Sequence, residues 1–229
     1  MKELVIKIKW GGLGDHLFFS PIPRIAKQQG YDKVYISNHS DYKFDGIKQF
    51  IWDRNPFIDG FSNEDAPCPS FAEVPDGMNI LDNLVLFCGS KDDGVRFREP
   101  VVYYEPAFLS EYKNAIIFDP NFGTDIGHPN KEVSQKYFEE NGIRITHQMK
   151  PLYKRTALKN KQEIQTKNLE HFCDIIFSCK QLFCFTTGTA TLAAALNKSA
   201  TVLYTDNILP MFHHSKLHKY IIIASTLER

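Results

Sequence analysis

The chain has 229 residues, with 27 Lys and Arg against 27 Asp and Glu, so its formal net charge is zero. This balance excludes the broad electrostatic attraction on which non-specific nucleic-acid binding depends, and we expect no nucleic-acid partner. A hydrophobic content of 43% argues against intrinsic disorder. The length suffices for one large domain or two small ones, each with its own core.

The cysteines are odd in number and include no C-x-x-C pair, which is typical of reduced thiols in the cytoplasm. They are Cys68, Cys88, Cys173, Cys179 and Cys184. The N-terminal residues alternate between charged and apolar types, unlike a signal peptide. Every apolar stretch is shorter than the ~20 residues of a membrane-spanning helix. We therefore expect a soluble, cytoplasmic protein.

The first predicted unit is a strand, a glycine turn, a helix and a second strand. The β-branched run Leu4–Ile8 predicts a buried strand, and the turn Trp10–Gly14 follows it. Apolar residues at helical spacing predict a helix over Asp15–Gln29, which Pro21 is expected to delay or kink. Lys33–Ser37 predicts the next strand. This order is typical of the opening of a parallel α/β sheet.

The middle of the chain is less regular. Residues 62–77 are polar and contain proline, which predicts a loop. Asn79–Phe87 is predicted as a strand, and Arg98–Pro106 as a strand end with a crossover. We therefore predict two domains, spanning residues 1–108 and 109–229.

The second domain repeats the alternation of strands and helices. The predicted strands lie at 115–118, 181–185 and 200–204, and the predicted helices at 131–141, 169–178 and 190–196. Gly142 is expected to end the first of these helices. An α/β sheet of mostly parallel strands is therefore predicted here as well.

The glycine turn Gly11–Asp15 is the first candidate site. Glycines after a strand let a ligand approach the backbone closely. A dinucleotide fingerprint needs a third glycine where Leu17 stands, so NAD binding is not predicted. A carboxylate beside the glycines repels phosphate but can accept a proton from a hydroxyl. Asp15 is therefore either a general base or a plain helix cap.

The second candidate site is the turn Thr186–Thr189 between a strand and a helix of small residues. The N-terminus of such a helix suits a diphosphate, and threonine hydroxyls add donors. An ordinary strand-to-helix turn capped by threonine explains the pattern equally simply.

A third candidate is the polar segment Asp119–Thr124, followed by His128 and Lys131. It follows the first strand of the second domain, where open α/β sheets bind ligands. A plain polar loop is the alternative. The sequence contains neither H-E-x-x-H nor G-x-S-x-G, so it predicts no metal centre and no serine nucleophile.

Taken together, the two glycine turns resemble those of the heptosyltransferase-like glycosyltransferases of glycosyltransferase family 9. That family opens with a G-x-x-G-D turn leading into a helix with a proline, matched here by Gly11, Gly14, Asp15 and Pro21. Its second domain carries T-G-x-x-H-L-x-A-A-L, and residues Thr187–Leu196 match most of that motif.

The resemblance implies a GT-B fold, in which two Rossmann-like domains with mostly parallel sheets face a cleft. It implies metal-independent, inverting transfer of a sugar from a nucleotide-sugar donor to a bacterial surface glycan, such as lipopolysaccharide core or capsule. The acceptor would be a glycan or a lipid-linked glycan, met at the cytoplasmic face of the inner membrane. No cofactor or metal is expected.

The resemblance also implies the site residues. Asp15 would be the catalytic base. The acceptor would bind at Gly12, Gly14 and His16. The nucleotide-sugar donor would bind at Gly123, Thr124, Lys131, Thr186, Thr187, Gly188 and Thr189.

This sequence departs from the family pattern in two residues and in length. Thr186 replaces an aspartate, Thr191 replaces a histidine, and the chain is shorter than typical members. Two alternatives therefore stay open. One is a non-catalytic relative that binds a nucleotide or a partner enzyme. The other is a sugar-nucleotide epimerase that uses Asp15, Asp119, Asp125 and His128.

Overall fold

The computed structural model describes residues 1–44, 46–68, 74–122, 130–205 and 212–223. The chain divides into two units, Met1–Glu105 and Pro106–Arg229, against a predicted boundary after residue 108. Each unit contains a parallel β-sheet accompanied by helices. The predicted α/β class with mostly parallel sheets is confirmed.

In the described part of the first unit, the sheet has three parallel strands in the order β1-β2-β3. They are β1 (Glu3–Ile6), β2 (Lys33–Ser37) and β3 (Gly60–Ser62). The first two were predicted, because their β-branched residues are buried on a pleated surface. The third was not, since its three residues contain no apolar run.

The predicted helix after the glycine turn is two helices, α1 (Leu13–Phe19) and α2 (Ile22–Gln28). Pro21 is the N-cap of α2 and has no N–H to continue the first helix. Gly30 ends α2 with a φ of +82°, a conformation that favours glycine. The prolines therefore break the helix rather than bend it.

The strand predicted at Asn79–Phe87 is wrong, because the structure forms helix α3 (Ile80–Phe87). The Asn79 side chain accepts the Asp82 N–H at 2.9 Å, and the Asp82 carboxylate accepts the Asn79 N–H at 3.1 Å. This capping box stabilises a helix start against the strand preference of the apolar run. The strand end predicted at Arg98–Pro106 is also wrong, since that segment lies in neither helix nor strand.

Among the described residues of the second unit, the sheet has six parallel strands in the order β6-β5-β4-β7-β8-β9. They are β4 (Ile116–Asp119), β5 (His147–Met149), β6 (Gln162–Ile164), β7 (Gln181–Phe185), β8 (Thr201–Tyr204) and β9 (Lys219–Ile222). The chain builds outward from β4 in one direction and from β7 in the other. The strand order therefore reverses between these two central strands.

The three helices predicted in this unit are confirmed. They are α4 (Lys131–Glu140), α5 (Leu169–Ser178) and α6 (Gly188–Ala195). Their N-caps, Asn130, Asn168 and Thr187, each accept a backbone N–H from the first turn of the helix. Gly142, with a φ of +63°, follows α4 as expected.

Aromatic side chains fill the core beneath the ends of β4 and β7. Phe118 meets Phe185 edge to face at 5.4 Å and Phe138 at 5.3 Å, while Phe138 meets Phe183 at 5.2 Å. Such pairs contribute about 0.5–1.5 kcal/mol beyond the area they bury. In the parts of the chain that are described, no helix is long and apolar enough to cross a membrane.

Candidate functional site

The reversal of strand order between β4 and β7 marks the place where an open α/β sheet binds ligands, outside the carboxyl ends of its strands. Asp119 ends β4, and the turn Thr186–Thr187 follows β7 directly. The register pairs Asp119 with Cys184, so both segments emerge at the same edge. The second and third sequence candidates therefore belong to one site.

The turn after β7 presents the start of α6. The Thr187 Oγ1 accepts the Thr189 N–H at 3.4 Å, and its carbonyl accepts the Ala190 N–H at 2.9 Å. The first amides of a helix have no intrahelical acceptor, and the N-terminus carries the positive end of the macrodipole. The backbone at Gly188 is therefore suited to an anion such as a diphosphate.

Asp119 anchors this turn from the neighbouring strand. The carboxylate is buried and accepts a hydrogen bond from the Thr189 hydroxyl. It also accepts the backbone and side-chain N–H groups of Asn121, at 3.1 Å and 2.8 Å. Burial raises the pKa of Asp119 above its ordinary value, and these hydrogen bonds oppose that shift. The Thr189 hydroxyl is thus used within the protein.

The other predicted donor residues differ in what the structure places around them. The Thr186 Oγ1 is buried and has no hydrogen-bond partner among the described residues, so it can still bond a ligand. Lys131 begins α4, with its Nζ 3.7 Å from Glu132 Oε1. Gly123 and Thr124 lie outside the described residues.

The glycine turn of the first unit is shaped by the backbone that crosses it. A Cβ on Gly11 would lie 2.8 Å from the Lys43 nitrogen and 2.9 Å from the Asp41 carbonyl. The Lys43 N–H donates to the Gly11 carbonyl at 2.9 Å. Only glycine therefore allows this close approach.

Asp15 lies in the first turn of α1, where its side chain caps the helix. Its Oδ2 accepts the Gly12 N–H at 2.9 Å, which is a capping interaction. Loss of solvent around the half-buried carboxylate raises the pKa of Asp15 to about 6, while the Gly12 amide and Lys43 act in the opposite direction. At neutral pH it is ionised yet more basic than an ordinary carboxylate, as a general base should be.

His16, predicted to bind the acceptor, is fully buried. One ring nitrogen accepts the Trp52 indole N–H at 2.8 Å, and the other lies 2.8 Å from the Asp41 carbonyl oxygen. Both ring nitrogens therefore form hydrogen bonds inside the protein, and neither is available to bind the sugar acceptor. Gly12 and Gly14 stay half-buried beside Asp15.

A methyl group at Gly11 tests the close backbone contact. We expect Gly11→Ala to lower the free energy of unfolding by about 2–3 kcal/mol, because the backbone of residues 41–43 must shift. Urea denaturation measures this loss. Gly142→Ala is the control; its φ is +63° with nothing within 4 Å, so only about 1 kcal/mol of backbone strain is expected. Equal losses in the two variants would contradict the steric argument.

No group of three or more His, Cys, Asp or Glu side chains that could hold a metal ion occurs among the residues the structure describes. Asp125 and His128, on which the epimerase alternative depends, lie outside that part of the chain.

The chain contains two successive α/β units with parallel sheets, the kind of unit of which GT-B proteins consist. One unit has an acid after a glycine turn, and the other has a helix start at a reversal of strand order. No protein-family model and no curated protein sequence matches the chain. Several solved structures do match the chain. They have the heptosyltransferase-like fold of glycosyltransferase family 9, and this chain shares that fold.

Three of these structures illustrate the similarity. Escherichia coli heptosyltransferase WaaC with ADP matches with a TM-score of 0.59 and 12% identity, over 97% of this chain and 93% of its own. The family 9 glycosyltransferase of Veillonella parvula matches with a TM-score of 0.59 and 12% identity, over 96% and 85%. The dodecameric, iron-containing glycosyltransferase TibC of enterotoxigenic E. coli has a TM-score of 0.65 and 12% identity, over 95% of this chain and 62% of its own. This chain therefore spans less than two thirds of TibC.

Sequence reasoning missed one set of residues and one contact at these sites. Trp52 and the 41–43 backbone hold the first turn, and no local pattern connects either with Asp15. The hydrogen bond from Thr189 to Asp119 joins residues 70 positions apart. The strand-end position of Asp119 was the available signal, because neighbouring parallel strands end at one edge.

Proposed function

We propose that the protein is a heptosyltransferase-like glycosyltransferase that moves a sugar from a nucleotide-sugar donor to a bacterial surface glycan, of lipopolysaccharide core or capsule type. The observation that carries this proposal is Asp15, a half-buried acid at a glycine turn with its pKa raised to about 6. The fold shared with heptosyltransferases supports the same reaction class.

In the proposed reaction, the Asp15 carboxylate takes the proton of the acceptor hydroxyl. The acceptor oxygen attacks the anomeric carbon as the bond from that carbon to the diphosphate oxygen breaks. The nucleoside diphosphate leaves with the bonding electron pair, and attack from the opposite face inverts the configuration. A base with a pKa near 6 is suited to this step at neutral pH.

The donor diphosphate is proposed to bind at the start of α6. The amide of Gly188 and the positive end of the helix would face the phosphates, and the Thr186 hydroxyl would add a donor. These groups stabilise the charge that develops on the leaving diphosphate. We therefore propose that the transfer needs no metal and no cofactor.

The compounds held by similar structures suggest where to begin with the donor. The WaaC structure contains ADP, and a second TibC structure contains ADP-D-β-D-heptose. We propose a nucleoside diphosphate sugar as the donor class.

Calorimetric titration of the full chain with ADP, UDP, GDP and CMP tests the donor site. We expect binding of at least one nucleotide, weakened about tenfold or more in Thr187→Val, which loses the hydroxyl that caps α6. Thr187→Ser, which keeps a hydroxyl, is the matched control and should bind like the native chain. Absence of binding to all four nucleotides would overturn the proposal. Binding without transfer to any glycan acceptor would favour the non-catalytic alternative.

A further inference from the structure

His16 is joined to two other parts of the first unit by hydrogen bonds. The Trp52 indole N–H donates to His16 Nδ1 at 2.8 Å, and His16 Nε2 lies 2.8 Å from the Asp41 carbonyl oxygen. An indole N–H can only donate and a carbonyl can only accept. Both bonds therefore form together only in the neutral tautomer that carries its proton on Nε2.

The surroundings of the ring favour this neutral form. The imidazole is fully buried and stacks on Tyr42, with ring centroids 4.6 Å apart. Burial lowers the pKa of His16 to about 4, although the nearby Asp41 acts in the opposite direction. A second proton on Nδ1 would also face the indole N–H of Trp52. The ring therefore stays uncharged at neutral pH.

The segment that accepts the His16 bond also holds the other end of the glycine turn. The Asp41 N–H donates to the Ile8 carbonyl and the Lys43 N–H to the Gly11 carbonyl, both at 2.9 Å. His16 adds a tie from α1, one residue beyond Asp15. Hydrogen bonds before and after the glycines therefore join the turn to the same segment, residues 41–43. Because α1 has only seven residues, it depends on such tertiary ties for its position.

We propose that Trp52, His16 and the Asp41 carbonyl form a fixed chain of hydrogen bonds that positions Asp15, so that His16 is a positioning residue and not an acceptor ligand. The catalytic consequence rests on the proposed function, whereas the hydrogen bonds themselves do not depend on it. When these hydrogen bonds are weakened, water reaches the Asp15 carboxylate and makes it a weaker base. The carboxylate also moves away from the acceptor hydroxyl.

The first test uses the native chain and needs no activity. Long-range ¹H–¹⁵N NMR of the histidine rings should show His16 in the tautomer protonated on Nε2, without titration between pH 5.5 and 8. A His16 that titrates with an ordinary pKa near 6.5, or that carries its proton on Nδ1, would overturn the proposal.

The second test uses Trp52→Phe, which keeps an aromatic ring and removes the N–H donor. We expect kcat to fall about 10- to 100-fold with little change in KM for the donor, and the acidic limb of the pH–rate profile to move to lower pH. Phe50→Leu is the matched control, since Phe50 is a buried aromatic of the same short helix, Lys48–Trp52. It should lower thermal stability without moving that limb.

The outcomes separate this proposal from the proposed function. If transfer occurs and Trp52→Phe changes neither kcat nor the acidic limb, the positioning role is overturned and the transferase stands. If the native chain transfers no sugar, the proposed function fails. The Asp15 pKa, followed by carboxyl ¹³C NMR in the native chain and in Trp52→Phe, then decides the positioning role: a lower value in the variant supports it, and an unchanged value overturns it.

Discussion

Replacing Asp15 with Asn is expected to lower the rate of sugar transfer about 10²- to 10⁴-fold, the contribution typical of a general base. Asn keeps the size of the side chain and an oxygen that can accept the Gly12 N–H, but it cannot take a proton from the acceptor. Initial rates at saturating donor and acceptor measure the effect, and nucleotide binding should be unchanged. Asp32→Asn, an exposed carboxylate of the same unit, is the control and should transfer sugar at the native rate.

The same substitution, Asp15→Asn, is expected to raise the free energy of unfolding although it lowers the transfer rate. Because folding raises the pKa of Asp15 from 3.8 to about 6, the folded state binds this proton more tightly than the unfolded state. The native chain therefore loses stability as the pH rises from about 4 to about 6. Asp15→Asn avoids that loss, so above pH 6 its free energy of unfolding should exceed that of the native chain by about 3 kcal/mol.

Urea denaturation at pH 4.0 and pH 7.5 tests the pH dependence. The difference in stability between Asp15→Asn and the native chain should be larger at pH 7.5 than at pH 4.0. A variant that is less stable than the native chain at pH 7.5 would show that the carboxylate stabilises the turn.

For the transfer reaction, an unchanged rate in Asp15→Asn would exclude Asp15 as the base.

Truncating Asp119 to Ala is expected to lower the free energy of unfolding by about 2–4 kcal/mol at pH 7. The change leaves the Thr189 hydroxyl and two N–H groups of Asn121 without their buried acceptor. Relief of the buried carboxylate, whose pKa is raised, offsets part of the loss. Because Thr189 belongs to the turn that is proposed to bind the donor, nucleotide affinity should fall as well.

Asp119→Asn separates the hydrogen bonds from the charge. Its amide oxygen can accept both N–H groups of Asn121, while its NH₂ group faces the Thr189 hydroxyl, which then acts as the acceptor. We expect a loss below about 1 kcal/mol and near-native nucleotide affinity. Urea denaturation and calorimetric titration of the two variants make the comparison. If both variants lose the same stability, the charge and not the hydrogen-bond network is what the site requires.

Local patterns predicted most of the regular elements, because the residues that decide them are neighbours along the chain. The helix predicted at 169–178 has the bounds of α5, since its apolar spacing and Asn168 cap agree. The apolar run 79–87 was misassigned because a short apolar segment suits a strand as well as a helix. The capping pair Asn79 and Asp82, three residues apart, was the signal that resolves it.

The sites were predicted as positions but not as networks. Asp15 and the Thr187–Thr189 turn could be located from glycines that follow strands, because that arrangement is local. The interior role of His16 could not, since its hydrogen-bond partners Asp41 and Trp52 lie 25 and 36 residues away. The apolar neighbours of His16 along the chain say nothing of those partners.

By itself the sequence determined many of the strands and helices, the two glycine turns and the acid that follows the first of them. These depend on periodicity, caps and the conformational freedom of glycine, all of which act over a few residues. Only the tertiary structure decided that Asp15 is shielded enough from water to be basic. It also decided that His16 is uncharged and hydrogen-bonded to two distant segments, and that Asp119 anchors the Thr187–Thr189 turn. Burial and hydrogen bonds between distant segments set these properties, and both exist only once the chain has folded.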